Sequence, residues 1–248
     1  DTANCSTIVG DFVSSGVDLI MANGTTALQA AVAATGDIPI LGTSITEYGV
    51  ALGIDGFTGT TGMNVSGTSD LAPLDEQAGI IKELFPDAKT VGLLYGSAEP
   101  NSQYQVDTVK ASLEELGYTC EYYAFSDSND LATVCQSAAD ASDVIYVPTD
   151  NTVAENTGII DNICAPKKIP VIAGEEGICK GCGVATLSIS YYDLGYATGK
   201  MAVKVLKGEA DISKLAIGYA ETQTPKYNKA ICDALGIKPL DGYVEIEG

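Results

Sequence analysis

The sequence predicts an α/β fold in which parallel strands are covered by helices on both faces. Strand-like and helix-like segments alternate along the 248 residues, at the spacing expected of strand–helix units. The stretch "VIYV" (144–147) is apolar or aromatic at every position, as in a strand buried on both faces. Polar residues then follow at once in "PTDNT" (148–152), so this strand ends in several hydrogen-bonding groups.

Each element follows from periodicity and from its start and stop residues. The chain opens with a helix, and a later helix stops at Pro86. After the opening helix, the predicted strands cover 17–23, 38–44, 64–70, 90–97, 119–125, 143–150, 169–176 and 184–190, and the predicted helices 24–35, 74–86, 102–117, 130–140, 151–165, 191–208 and 226–236.

Composition excludes several functions. The chain carries 13 Lys and Arg against 33 Asp and Glu, a formal charge of −20, which repels nucleic acids and anionic lipid surfaces. It has no His, so the usual general base and the commonest metal ligand are missing. No run is apolar enough to span a bilayer, and no signal peptide opens the chain. An α/β domain rarely begins with a helix, so we expect that an upstream segment is missing, cleaved or numbered elsewhere.

Seven Cys are spread along the chain, and "CKGC" (179–182) is the one CxxC motif. A zinc site needs two further soft ligands, and a thioredoxin-like motif stands at a helix N-terminus, whereas glycines place this one in a turn. We expect a local disulfide or free thiols, and neither a metal nor a cofactor.

Polar residues gather where five predicted strands end. In parallel sheets, ligands bind outside the carboxyl ends of the strands. Such residues are also favoured helix N-caps, so many of them need no ligand, but the clusters exceed what capping requires. They contain acidic acceptors and neutral donors without a basic residue, which suits a ligand carrying an ammonium and a carboxylate. The clusters are Asn23 to Thr26; Thr43, Ser44 and Thr46; Ser97, Glu99, Asn101 and Ser102; Thr149 to Thr152; and Glu175 and Glu176.

The chain resembles a family of ABC-transporter substrate-binding proteins with the type I periplasmic-binding fold, in the branch that contains tryptophan- and phenylalanine-binding lipoproteins. The resemblance rests on "SSGVDLIMANGTTALQAA", "NVSGTSDLAPLDEQAGIIKELFPDAKTVGLLYGSAEPNS", "DVIYVPTDNTV" and "GVATLSISYYDLGYATGKMAVKVLKGE", and it extends to Gly236. It implies two Rossmann-like lobes joined by three crossing segments, with a ligand in the cleft between them. The first lobe is expected at 1–87 plus 189–217 and the second at 88–188 plus 218–248, and the family's first strand and helix are missing.

The resemblance also implies roles for the polar clusters. Thr25, Thr26 and Thr46 are expected to receive the ligand carboxylate. Glu175 or Glu176 is expected to hold the ammonium. The remaining residues fall into three groups: Asp150 as the other ammonium candidate, with Thr149 and Asn151 beside it; Ser97, Glu99, Asn101 and Ser102 as a far wall; and Asp70 as either a helix cap or a ligand contact.

Four tyrosines near strand ends or hinges, Tyr48, Tyr95, Tyr104 and Tyr191, are candidates for stacking on an aromatic ligand, although such residues more often belong to the core or its rim.

The predicted function is that of an extracytoplasmic receptor of an ABC importer, binding a zwitterionic ligand such as an aromatic amino acid. Its partners are then the permease subunits, and the location is periplasmic or a cell surface reached through an upstream lipid anchor. The alternatives are a ligand-sensing regulatory domain of the same fold and a His-free α/β enzyme. Against an enzyme, the sequence lacks GxSxG, GxxxxGK[ST] and strand-linked GxGxxG motifs.

Overall fold

A computed structural model describes residues 2–247, which divide into two compact units. Unit 1 contains the described residues of Asp1–Leu71 together with Ser190–Thr222, and unit 2 contains those of Ala72–Ile189 together with Gln223–Gly248. The chain passes from one unit to the other three times, after Leu71, Ile189 and Thr222. The predicted α/β class and the two lobes are confirmed.

Unit 1 is built on a four-stranded parallel sheet in the order β1-β2-β3-β9. Its strands are β1 (Ile20–Asn23), β2 (Ile40–Ile45), β3 (Val65–Ser69) and β9 (Gly218–Tyr219), and its helices are α1 (Thr2–Ser15), α2 (Thr25–Ala34), α3 (Tyr48–Leu52), α10 (Tyr191–Leu206) and a 3₁₀ helix at Ile212–Lys214.

Two glycines in unit 1 make room for a buried tyrosine. Tyr48 is 1% exposed, and its hydroxyl donates to the Thr68 carbonyl oxygen at 3.2 Å. A Cβ added to Gly67 would lie 2.4 Å from the Tyr48 hydroxyl oxygen and 2.0 Å from the carbonyl oxygen of Gly42. Gly67 also has a φ of 144°, which favours glycine, so β2 and β3 approach closely only because these side chains are absent.

Unit 2 contains a seven-stranded sheet in the order β11-β10-β8-β7-β6-β4-β5. The pairing is parallel except between β8 and β10, which run antiparallel. Its strands are β4 (Thr90–Gly96), β5 (Thr119–Phe125), β6 (Val144–Val147), β7 (Val171–Ala173), β8 (Ala185–Ile189), β10 (Gln223–Tyr227) and β11 (Val244–Glu245), and its helices are α4 (Leu74–Leu84), α5 (Pro100–Glu115), α6 (Leu131–Ala141), α7 (Asn151–Glu155), α8 (Thr157–Lys167), α9 (Glu176–Cys182) and α11 (Lys229–Leu235).

Several predicted boundaries differ from the structure. Gly218–Tyr219 was expected in the second lobe but pairs with β3 in unit 1. The first segment of the predicted first lobe, 1–87, included α4. In the structure, α4 packs on α5 and β8 and lies in unit 2. The predicted closing helix began at Lys226, but Gln223–Tyr227 pairs with β8 as a strand, and the helix begins at Lys229. Within residues 2–247, no helix has the length and apolar character required to cross a membrane.

Candidate ligand-binding site

Asp150 joins two strand ends of unit 2. It is the N-cap of α7, where its Oδ1 accepts from the Val153 N–H at 2.9 Å. Its Oδ2 accepts from the Gly96 N–H at 2.8 Å, at the end of β4. The residue is 1% exposed. Because β4 and β6 are parallel neighbours, this one carboxylate ties their carboxyl ends together at the edge of the sheet where ligands are expected.

Glu99 reaches the same helix start from the loop after β4. Its Oε2 accepts from the Asn151 backbone N–H at 3.0 Å and from the Asn151 side-chain amide at 2.7 Å. Its Oε1 accepts from the Thr152 backbone N–H and hydroxyl, both at 3.0 Å. Glu99 and Asp150 therefore both face the first turn of α7, and the exposed Asn151 and half-buried Thr152 hold Glu99 in place.

These two carboxylates place negative charge at one edge of the sheet. Burial raises the pKa of Asp150, and the negative charge of Glu99 raises it further, because both disfavour the ionised form. Among the described residues, five ion pairs form, and none includes Glu99 or Asp150. A cationic group bound here would offset the repulsion between them.

The other predicted wall residues, Ser97, Asn101 and Ser102, already make hydrogen bonds within the protein. The Asn101 amide donates to the Thr149 carbonyl oxygen at 3.3 Å and contacts the buried Ser102 hydroxyl at 3.4 Å. Ser97 is exposed, and its hydroxyl donates to the Phe125 carbonyl oxygen at 3.0 Å.

A residue outside the predicted set, Gln105, fixes the loop after β6. Its amide donates to the Thr149 carbonyl oxygen at 3.0 Å, and its Oε1 accepts from the Thr149 N–H at 3.0 Å. Gln105 is 2% exposed. The available signal was its position four residues after Asn101, which puts both amides on the same side of α5.

Glu175 and Glu176 were predicted at the end of a strand, but in the structure they lie at the start of helix α9. Glu175 is the N-cap of α9, and its carboxylate accepts from the Gly177 N–H at 2.7 Å and from the Ile178 N–H. Burial raises its pKa. The Glu176 carboxylate accepts from the Ser188 hydroxyl at 2.8 Å and pairs with Lys226 at 2.7 Å. Burial opposes its ionisation, but these two donors hold its pKa below the ordinary value.

Unit 1 presents hydroxyls at the carboxyl edge of its own sheet. Thr25 and Thr26 form the first turn of α2, and no side chain caps this helix. Thr46 follows β2. Thr46 and Thr25 are both buried, with exposed fractions of 3% and 5% respectively. Among the described residues, the hydroxyls of Thr25, Thr26 and Thr46 make no side-chain hydrogen bond.

Ser44, in the same segment of unit 1, has a φ of 54°. This is a strained conformation for a residue other than glycine, and such strain gathers at functional sites. It lies where the β2–β3 register shifts, between Gly42 and Ile45. No composition rule reveals such a bulge.

Asp70 and the tyrosines depart from the predictions. No side chain caps α4, so the predicted capping role of Asp70 is wrong, and its Oδ2 accepts from the Tyr191 hydroxyl at 3.2 Å instead. Tyr48 and Tyr95 are buried, at 1% and 6% exposure, and Tyr104 is half-buried on α5. Tyr48 and Tyr95 thus take the core role that was the alternative to stacking.

The cysteines are free thiols throughout the described chain. Cys179 and Cys182 lie in helix α9, whereas the glycines had predicted a turn. No group of three or more Cys, Asp or Glu residues within 2–247 is arranged to hold a metal ion.

Comparison with known proteins agrees with this architecture. The sequence profile of the family described as ABC transporter substrate binding protein matches residues 1–241. A protein named "Tyrosine-binding protein" from Clostridioides difficile (strain R20291) is 37% identical over 210 residues, which are 85% of this chain and 61% of that relative. The chain therefore spans about three fifths of the length of this curated relative.

Solved structures show the same similarity. An ABC domain from Streptococcus pneumoniae in complex with L-Trp superposes with a TM-score of 0.92 at 33% identity, covering 100% of this chain and 86% of that one. The ligand-free, open structure of a substrate binding protein with adhesive properties from Clostridium difficile gives a TM-score of 0.74 at 36% identity, covering 100% and 84%. The chain belongs to the family of ABC transporter substrate binding proteins.

Proposed function

We propose that this chain is the solute receptor of an ABC importer, that it acts outside the cytoplasmic membrane without catalysing a reaction, and that it binds an aromatic amino acid. The aromatic ligand is supported by the relatives, one named as a tyrosine-binding protein and another solved with L-Trp. Its partners in this role are the permease subunits. An upstream lipid anchor stays a prediction.

The proposal of a zwitterionic ligand rests on where the acidic side chains and the unengaged hydroxyls lie. In unit 2, Glu99 and Asp150 lie together without an ion-pair partner among the described residues. In unit 1, the hydroxyls of Thr25, Thr26 and Thr46 make no side-chain hydrogen bond. An ammonium is the natural partner of the first group and a carboxylate of the second.

Among the predicted acids, Asp150 is the one that we propose for the ammonium. An ionised carboxylate has about four acceptor sites, and Asp150 uses two of them for backbone N–H groups. Glu175 also accepts two backbone N–H groups, but the acid beside it, Glu176, already pairs with Lys226. Among the ion pairs of the described residues, neither Asp150 nor its neighbour Glu99 has a lysine. We keep Thr149, Asn151, Asn101, Ser102 and Ser97 as proposed wall residues.

The alternative functions find less support. The relatives at 33% to 37% identity are named as binding or ABC proteins, whereas the transcriptional regulator with this fold is 12% identical and shows the fold alone. An enzyme without His could use paired acids, but Glu99 and Asp150 are held by backbone N–H groups.

A thermal-shift screen of the purified chain tests the proposal, using the twenty amino acids with nucleosides and sugars as contrast sets. A ligand at about 100 times its dissociation constant adds roughly 2.7 kcal/mol to the free energy of unfolding. For a protein of this size, that raises the melting temperature by roughly 5–10 °C. A shift confined to Trp, Phe or Tyr is the expected result, and a shift confined to sugars or nucleosides contradicts it.

A further inference from the structure

Two of the thiols in unit 2 touch each other. Cys135 on α6 and Cys164 on α8 have their Sγ atoms 3.9 Å apart. Both side chains are buried, at 0% and 2% exposure, in an apolar cluster that also contains Leu131 and Ile160. Helices α6 and α8 pack directly on each other, so this contact lies within a helix–helix interface.

Two other buried thiols of unit 2 have different partners. The Cys182 thiol donates to the Ile178 carbonyl oxygen at 3.4 Å, one turn back along α9. The Cys232 thiol donates to the Val184 carbonyl oxygen at 3.6 Å. In the part of the chain that the structure describes, no second pair of sulfur atoms makes such a contact.

We propose that Cys135 and Cys164 form a disulfide that links α6 to α8 when the protein is oxidised. A disulfide has an S–S length of about 2.05 Å, so the two sulfur atoms must move about 2 Å closer together for the bond to form. The bond would close a loop of 29 residues around α7 and β6. Disulfides persist outside the cytoplasm, where the proposed function places the chain.

The oxidant that we name is a low-molecular-weight disulfide such as oxidised glutathione. One thiol loses its proton and attacks a glutathione sulfur, which forms a mixed disulfide and releases one glutathione thiolate. The second protein thiol loses its proton and attacks the mixed disulfide, which forms the Cys135–Cys164 bond and releases the second thiolate. The protein loses two electrons and two protons, and glutathione disulfide gains both.

The timing of the reaction follows from the surroundings of the thiols. Contact with Cys135 and burial raise the pKa of the Cys164 thiol, so little thiolate is present in the folded protein. Reaction is therefore expected during folding, before the two helices close over the sulfurs.

Peptide mapping after refolding tests the proposal. The full chain is reduced, unfolded, refolded with or without a glutathione redox buffer, and alkylated with iodoacetamide. Trypsin is unsuitable, because no Lys or Arg separates the two cysteines between Lys110 and Lys167. A glutamate-specific protease cuts after Glu121 and Glu155, which puts them in the separate peptides 122–155 and 156–175.

The expected product is the linked pair of these peptides, about 2 Da lighter than their sum and split by reductant. Cys135→Ala and Cys164→Ala should each abolish it, whereas Cys120→Ala, at a buried thiol on β5, should leave it. The linked form should melt roughly 5–15 °C higher, because the loop is closed in the unfolded state.

Alkylation of all seven thiols after refolding in the redox buffer would overturn the proposal, as would a bond between Cys179 and Cys182 in its place. The wild-type map decides the question even where an alanine variant fails to fold. No arm of the experiment requires an amino-acid ligand, so its outcome is independent of the proposed transport function.

Discussion

Replacing Asp150 by alanine is expected to weaken both the fold of unit 2 and the binding of an amino acid. The substitution removes the acceptor for two backbone N–H groups, those of Gly96 and Val153. Loss of an N-cap costs about 1 kcal/mol. Leaving the buried Gly96 N–H without a partner costs about 1–3 kcal/mol.

One effect works in the opposite direction. Burial and the neighbouring Glu99 charge disfavour the Asp150 carboxylate, so alanine relieves part of that cost. A net loss of about 2 kcal/mol in the free energy of unfolding is therefore expected. For a chain of 248 residues, this lowers the melting temperature by about 4–8 °C.

The effect on binding is separate and larger. An ammonium left without its buried partner costs about 2–5 kcal/mol of binding free energy, which is a loss of about 30-fold or more in affinity. Calorimetric titration of the folded variant measures this, and scanning calorimetry without ligand measures the stability.

The matched control is Asp130→Ala, because the Asp130 carboxylate also accepts backbone N–H groups, those of Ser126 and Asp127, but in an exposed turn. A smaller loss of stability and unchanged affinity are expected there. If the Asp150 variant binds as tightly as wild type, Asp150 does not hold the ammonium. If it melts no lower than the control, the cap does not carry the stability assigned to it.

Three further outcomes are expected. Thr25→Val should leave the stability of the ligand-free protein unchanged and lower the affinity for the amino acid about 10-fold or more, since it removes a hydroxyl that makes no hydrogen bond to a side chain. The control Thr198→Val should lower the stability and leave the affinity unchanged, because the Thr198 hydroxyl lies 2.7 Å from the Thr68 hydroxyl. The reverse pattern would refute the proposed role of Thr25 in binding the carboxylate. Affinity should fall as pH drops through the raised pKa of Asp150, because a proton then competes with the ammonium, and titrations that show the same affinity across pH would contradict this. The contribution of Asp150 to the free energy of unfolding without ligand, measured as the difference between wild type and Asp150→Ala, should decrease as pH rises from 3.8 toward that pKa, because the folded state holds a proton that the unfolded chain has lost. Gly67→Ala should destabilise the protein by about 3 kcal/mol, because Gly67 has a positive φ and the added Cβ would lie 2.0 Å from the Gly42 carbonyl oxygen. The control Gly199→Ala adds a Cβ in open space on a helix of the same unit and should not destabilise the protein by this amount. Equal denaturation midpoints for the two variants would disprove the close approach of β2 and β3.

The strands and long helices were predictable because each carries a local signal. Val144–Val147 is apolar at every position and is buried at every position. The helix predicted at 74–86 ends as Pro86 requires, with Phe85 as its C-cap. Strand β10 was missed because Gln223–Tyr227 has no apolar periodicity. Its partner, β8, is distant from it in the sequence, so no local pattern indicates the pairing.

The gathering of polar residues at strand ends was predictable, whereas their hydrogen bonds were not. That polar residues gather at strand ends follows from the parallel topology. Which acid is already occupied depends on tertiary partners, as with Glu176, whose lysine lies fifty residues away. For the same reason Gln105 was missed, since its partners belong to the loop after a different strand.

The claim that the chain recognises both charged ends of an amino acid is tested most directly by titrating three related ligands into the same protein. These are L-tryptophan, tryptamine, which lacks the carboxylate, and indole-3-propionate, which lacks the ammonium. We expect measurable binding of L-tryptophan and a loss of affinity of about 10-fold or more for each of the other two ligands, since each leaves one set of polar groups without its partner. Equal affinity for all three ligands would contradict it.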